Sequence, residues 1–94
     1  MVQGEKQRSP LRIYLDIINA ISEEGQARPT HILYKANLSY DRLVRYLEDL
    51  AAKGLIEVKQ EKDAKYYMLT PKGVKFLIEL KRAEAFIKGF GFSL

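Results

Sequence analysis

The chain has no cysteine among its 94 residues, which removes disulfides, thiolate zinc sites, iron–sulfur clusters and cysteine nucleophiles from consideration. Its one histidine, His31, has no second ligand three or four residues away, so no metal site is expected. It lacks a glycine-rich phosphate loop and a nucleophile elbow. The carboxylates Glu23, Glu24, Glu48, Asp49, Glu79 and Glu84 fall on predicted helix surfaces near lysines and arginines, without an apolar pocket to raise a pKa for acid–base work. No run approaches the roughly 18 uninterrupted apolar residues of a membrane span, and Met1 to Pro10, with Glu5, Lys6 and Arg8, has no apolar stretch. The expectation is a soluble, intracellular protein that is not an enzyme, with no cofactor, metal, small-molecule ligand or membrane association.

What is present is core material. The chain is 47% hydrophobic and 30% charged, which suits one small folded domain and not a disordered tail. A domain this short buries only roughly 60 to 70% of the surface its unfolded chain exposes, so a second copy is a natural source of further burial. Sixteen Lys and Arg against twelve Asp and Glu give a net charge of +4, with the surplus late in the chain. A polyanion is one partner such a balance suits.

Ser9 and Pro10 open a helix predicted to run to about Glu24, where Gly25 stops it. Leu11, Ile13, Tyr14, Leu15, Ile17, Ile18 and Ile21 leave it only a narrow polar stripe, so it is expected to pack on two sides. A short extended piece, Gln26 to Pro29, leads to a second helix, capped by Thr30, from His31 to about Ala36. Asn37 ends it with left-handed backbone angles and Leu38 plugs the turn. Ser39 caps a third helix, Tyr40 to Lys53, with Leu43, Leu47 and Leu50 inward and Gly54 after it. Strands Leu55 to Gln60 and Lys65 to Thr70 flank a hairpin loop, Glu61 to Ala64. Thr70 and Pro71 start a last helix that extends to about Lys88, before Gly89. Tyr14, Tyr34 and Tyr67 fall in registers that suit the core.

The order helix, short strand, helix, tight turn, helix, strand, loop, strand matches a known topology, and the residues sharpen the match. Thr30 to Tyr40, Tyr46-Leu47, Lys53-Gly54-Leu55-Ile56, Tyr66-Tyr67, Leu69-Thr70 and Lys72-Gly73 resemble the archaeal winged helix-turn-helix regulator family over about residues 9 to 80. That family includes small chromatin-associated proteins that pair through a C-terminal coiled coil. The implied fold class is mainly α with a small β-hairpin: a flexible N-terminus over 1–8, a winged-helix domain over 9–70, and a C-terminal dimerisation helix and tail over 71–94.

The resemblance implies double-stranded DNA as partner, with the third helix in the major groove and the hairpin loop, the wing, on the flanking backbone or minor groove. With the leucines inward, Arg42, Arg45, Tyr46 and Asp49 are expected on the outer side of that helix. Arginine there suits both guanine and phosphate. Ser39 and Tyr40 stand at the helix start, where free N–H groups attract phosphate. Lys35 on the second helix and Lys62 at the wing tip are the remaining candidate contacts. Two readings stay open for the arginines, since simple pairing with Glu48 or Asp49 on a solvated surface explains them as well.

On the last helix, Phe76, Leu80, Ala83 and Ile87 recur at spacings of four, three and four, a heptad seam barely two heptads long. Val74, Leu77 and Ile78 form a different face, expected to cover the first helix. The seam, with Phe90 and Phe92 beyond it, is then the expected homodimer interface. The combined expectation is a homodimeric transcriptional regulator or small chromatin protein, cytoplasmic and nucleoid-associated. The alternative is a winged-helix protein-interaction module in a larger assembly, favoured by Asp41 and Asp49 on the presumed reading face.

Overall fold

The structure, a computed structural model, describes residues 8–94. The N-terminal segment expected to be flexible lies outside the described residues except for Arg8. That side chain donates to the Asp16 carboxylate at 2.9 Å and to the carbonyl oxygens of Ala36 and Asn37 at 2.7 and 2.8 Å.

Six elements follow in order: α1 (Pro10–Glu24), α2 (Pro29–Ala36), α3 (Tyr40–Ala52), β1 (Ile56–Glu61), β2 (Ala64–Leu69) and α4 (Pro71–Lys88). Three helix starts are written in the same chemistry. The hydroxyls of Ser9, Ser39 and Thr70 accept from the amides of Arg12, Arg42 and Gly73, each satisfying a donor the helix leaves free. The start of α2 departs from expectation. Pro29 is already helical, Arg28 takes the capping position without a side-chain bond, and Thr30 caps nothing. Proline tolerates the first helical position because its missing N–H has no partner there. Asn37 then turns the chain at φ 56°, ψ 58°, and Leu38 is buried behind it.

The sheet is an antiparallel hairpin with Val58 opposite Tyr67 and Glu61 opposite Ala64, so the turn is only Lys62 and Asp63, tighter than the four-residue loop expected. The extended piece before α2 adds to its edge: Ala27 exchanges two backbone hydrogen bonds with Tyr67, at 2.9 and 2.8 Å.

The core collects Ile17, Ile18 and Ile21 from α1, Ile32 from α2 and Leu43 and Leu50 from α3, all fully buried. Each contributes about 1.5–3 kcal/mol by leaving water. α1 is thus enclosed by α2 on one side and α4 on another, as its narrow polar stripe requires. Tyr34, expected in the core, is instead 77% exposed, because its position on the short α2 faces away from α1.

α4 closes the domain with a different face from the one expected. Gly73, Leu77 and Leu80 point inward, while Val74 and Ile78 are exposed. Gly73 sets this rotation: a Cβ there would overlap the Leu55 carbonyl oxygen, so only glycine lets α4 lie on the backbone after α3. Arg12 of α1 pairs with Glu84 further along α4. Among the described residues, no helix is long and apolar enough to cross a membrane.

Candidate nucleic-acid interface

α3 is oriented from two sides. Toward α1, the Tyr46 ring meets the Tyr14 ring edge to face, with centroids 5.2 Å apart, and the Tyr14 hydroxyl donates to the Asp49 carboxylate. Lys53 donates to the same carboxylate at 2.6 Å. The bonds from Lys53 and then Tyr14 hold Asp49 below the usual carboxylate range. The Tyr14 hydroxyl is pushed up to about 12, first by that bond to Asp49 and then by burial. Toward the hairpin, Tyr40, Val44, Leu47, Glu48 and Ala51 face Val58, Lys65 and Tyr67 across a groove of about 270 Å³. Burial there raises the pKa of Tyr67.

Between these flanks, Asp41, Arg45, Glu48 and Ala52 form the crest of α3, at spacings of four, three and four, and all are exposed. Arg42 is exposed beside them. Among the described residues, neither Arg42 nor Arg45 takes part in an ion pair, so the bland pairing with Glu48 or Asp49 is not what the helix adopts. Tyr46 and Asp49, expected to face outward with the arginines, are half-buried against α1 and serve to hold α3 in place.

The other candidates divide in the same way. Ser39 is occupied as a cap, and Tyr40 is exposed at the mouth of the groove beside the hairpin. Lys35 pairs with Glu23 of α1 at 3.2 Å, on the side of α2 away from the hairpin. Lys62 stands at the hairpin tip at φ 53°, where the Gln60 amide closes the turn on the Lys62 and Ala64 carbonyls, both at 3.3 Å. Sequence reasoning missed Arg28. Strand-like pairing at Ala27 places its guanidinium 5.9 Å from the Tyr66 ring centroid, next to the hairpin tip. The only signal for it was a cation before a proline in an extended piece.

The expected dimer residues are placed less simply. Leu80 is only 8% exposed within its own chain and cannot stand in a seam between copies, because the rotation of α4 turns it into the core. Phe76 packs against the same core and Ile87 is half-buried, whereas Ala83 is exposed. Phe90 and Phe92 are each 68% exposed, and Phe86 stacks edge on Phe90 with centroids 5.3 Å apart. The uncovered apolar surface of α4 is therefore Val74 and Ile78 along the helix and the three phenylalanines at its end.

A sequence model of the winged helix-turn-helix family matches residues 7–88. Sso10a-2, a DNA-binding protein from Sulfolobus solfataricus, superposes with a TM-score of 0.80 at 25% identity, over 88% of this chain and 85% of its own. AF1382 from Archaeoglobus fulgidus superposes at 0.72 and 16% identity, over 90% of this chain and 97% of its own. The transcriptional regulator BldR from Sulfolobus solfataricus does so at 0.68 and 22% identity, over 74% of this chain and 52% of its own. The latter two share the fold. No curated protein matches in sequence.

Proposed function

The chain belongs to the winged helix-turn-helix family, and on that premise we propose that it binds double-stranded DNA as a homodimer, in transcription regulation or chromatin organisation. The observation that carries this reading is the pair of exposed arginines, Arg42 and Arg45, free of ion pairs among the described residues on a helix held from behind by three buried leucines. In it, α3 enters the major groove, Arg45 reaches base edges or phosphate, and Arg42 reaches the backbone. The α3 start, Ser39 and Tyr40, lies against phosphate, and Lys62 and Arg28 meet the flanking duplex from the hairpin. Lys35, paired with Glu23, adds no net charge to this face. The similarity to a DNA-binding protein and to a transcriptional regulator supports the assignment.

The second copy covers Val74, Ile78, Phe86, Phe90 and Phe92, with Phe76, Ala83 and Ile87 at the margin, which removes from water the apolar area one chain leaves exposed. Such a protein works on the nucleoid in the cytoplasm.

The test is a salt titration of duplex binding. Phosphate contacts impose a linear fall of log affinity with log salt, roughly one unit of slope per contact. The carboxylates Asp41 and Glu48 on the α3 crest favour the second reading, a protein-interaction module. No duplex binding at low salt selects that module over DNA binding.

A further inference from the structure

α3 carries two arginines and three carboxylates, so the helix aimed at the duplex has no surplus positive charge. One carboxylate, Asp49, is consumed by Tyr14 and Lys53. The other two, Asp41 and Glu48, are exposed on either side of Arg45, Glu48 at the edge of the crest where it also borders the groove toward Lys65 and Tyr67, and among the described residues neither forms an ion pair. Asp41 stands four residues before Arg45 and Glu48 three after it, spacings at which ion pairs form readily on a helix surface. The helix dipole accounts for Asp41 in the first turn. It gives no benefit to Glu48, past the middle of the helix.

For a protein that holds only the phosphate backbone, both carboxylates are liabilities, because each repels the strand that the arginines attract. For a protein that reads bases they are useful. In the major groove a G·C pair offers acceptors on guanine, N7 and O6, beside a donor, the cytosine amino group. A guanidinium with a carboxylate on either side offers two donors to one guanine and acceptors to cytosine amino groups of that pair and its neighbours. The seven helical steps from Asp41 to Glu48 rise about 10 Å, which spans about three base steps.

We infer that the crest Asp41, Arg45 and Glu48 of α3 reads G·C pairs, Arg45 on guanine and the carboxylates on neighbouring cytosine amino groups, so that the protein selects a sequence. This rests on the DNA-binding reading and decides between its two forms, in favour of the regulator. Backbone affinity then comes from elsewhere: Arg42, Lys62 and Arg28, and the lysines of the hairpin.

The experiment is selection by the full chain from a pool of duplexes with a randomised centre, followed by affinities of variants on an enriched duplex and on one without the motif. The expected motif contains neighbouring G·C pairs. Asp41→Ala and Glu48→Ala each weaken binding to the enriched duplex, by about ten-fold, and leave the other duplex equal or tighter bound. Arg45→Lys keeps the charge but loses the two-pronged bond, so preference falls while affinity for the unrelated duplex stays. Replacing the enriched guanines with 7-deazaguanine weakens the unaltered protein and not Arg45→Ala. All four variants change exposed, unpaired side chains, and a native circular-dichroism spectrum with a cooperative melt verifies that each is folded, Asp41→Ala losing at most the small dipole contribution. A pool that stays random, or carboxylate removal that tightens every duplex alike, overturns this inference while DNA binding stands. Failure of the unaltered protein to bind any duplex at low salt overturns both.

Discussion

The hydroxyl of Tyr14 on α1 donates to the carboxylate of Asp49 on α3, and this bond, with the Tyr14–Tyr46 ring contact beside it, fixes α3 to the centre of the domain. A polar link at that point does what a further leucine cannot, since its geometry is directional and sets how far α3 turns about its own axis.

Tyr14→Phe breaks the link and keeps the ring. The pH dependence of stability reports it. Tyr14 has its folded pKa raised from 10.0 to about 12, so its contribution is complete below pH 10 and is lost as pH rises toward 12. Asp49 is shifted the other way, so its contribution is present above the ordinary carboxylate range and is lost as pH falls through its lowered value. Melting temperature against pH is expected to fall at both ends in the native protein. In Tyr14→Phe the plateau is lower by a few degrees and the alkaline loss is reduced.

Gly73→Ala forces a methyl group into the Leu55 carbonyl. Neither group is a flexible side chain, so α4 must shift as a unit, and the expected cost is about 2–3 kcal/mol or more in denaturant unfolding. Lys75→Ala, two residues on and exposed, is expected to stay within about 0.5 kcal/mol of the native protein.

Arg42→Ala weakens duplex binding without moving the thermal melt, because its side chain is exposed and, among the described residues, unpaired. If it meets a phosphate, the salt slope drops by about one unit and all duplexes are affected alike. Fluorescence anisotropy at several salt concentrations measures both quantities.

Lys62→Gly separates stability from binding. The native φ of 53° strains a lysine and suits glycine, so hairpin stability rises by at most about 1 kcal/mol, against which the extra freedom of glycine in the unfolded chain is set. Duplex affinity falls, since the tip loses its cation. Opposite signs in the two measurements are the expected result.

Ile78→Ser together with Phe90→Ser is expected to give a monomer in analytical ultracentrifugation while circular dichroism stays native, because both side chains are exposed in the single chain. Leu80→Ala instead destabilises the fold itself, by about 2–5 kcal/mol, since Leu80 is core.

Local chemistry made much of this molecule legible in advance. Ser9, Ser39 and Thr70 announced three helix starts because a cap is set by neighbouring residues alone, and the inward leucines of α3 followed from helical spacing. What failed depended on contacts distant in sequence. The rotation of α4 is decided by Gly73 against Leu55, which no periodicity in α4 reveals, and so Leu80 and Val74 exchanged expected roles. Tyr46 and Asp49 are drawn toward Tyr14, 35 residues from Asp49 along the chain, and left the outer face for the same reason. Arg28 gained its place from the pairing of Ala27 with Tyr67, which joins segments on opposite sides of α3.

The central claim is that the outer face of α3 and the hairpin tip meet the duplex. Amide shift mapping by NMR, on titrating the labelled chain with a short duplex at low salt, tests it directly. The account predicts that the largest changes cluster at residues 39–48 and 61–64, with α1 nearly silent. Changes concentrated on α4, or none at all while the chain remains folded, contradict it.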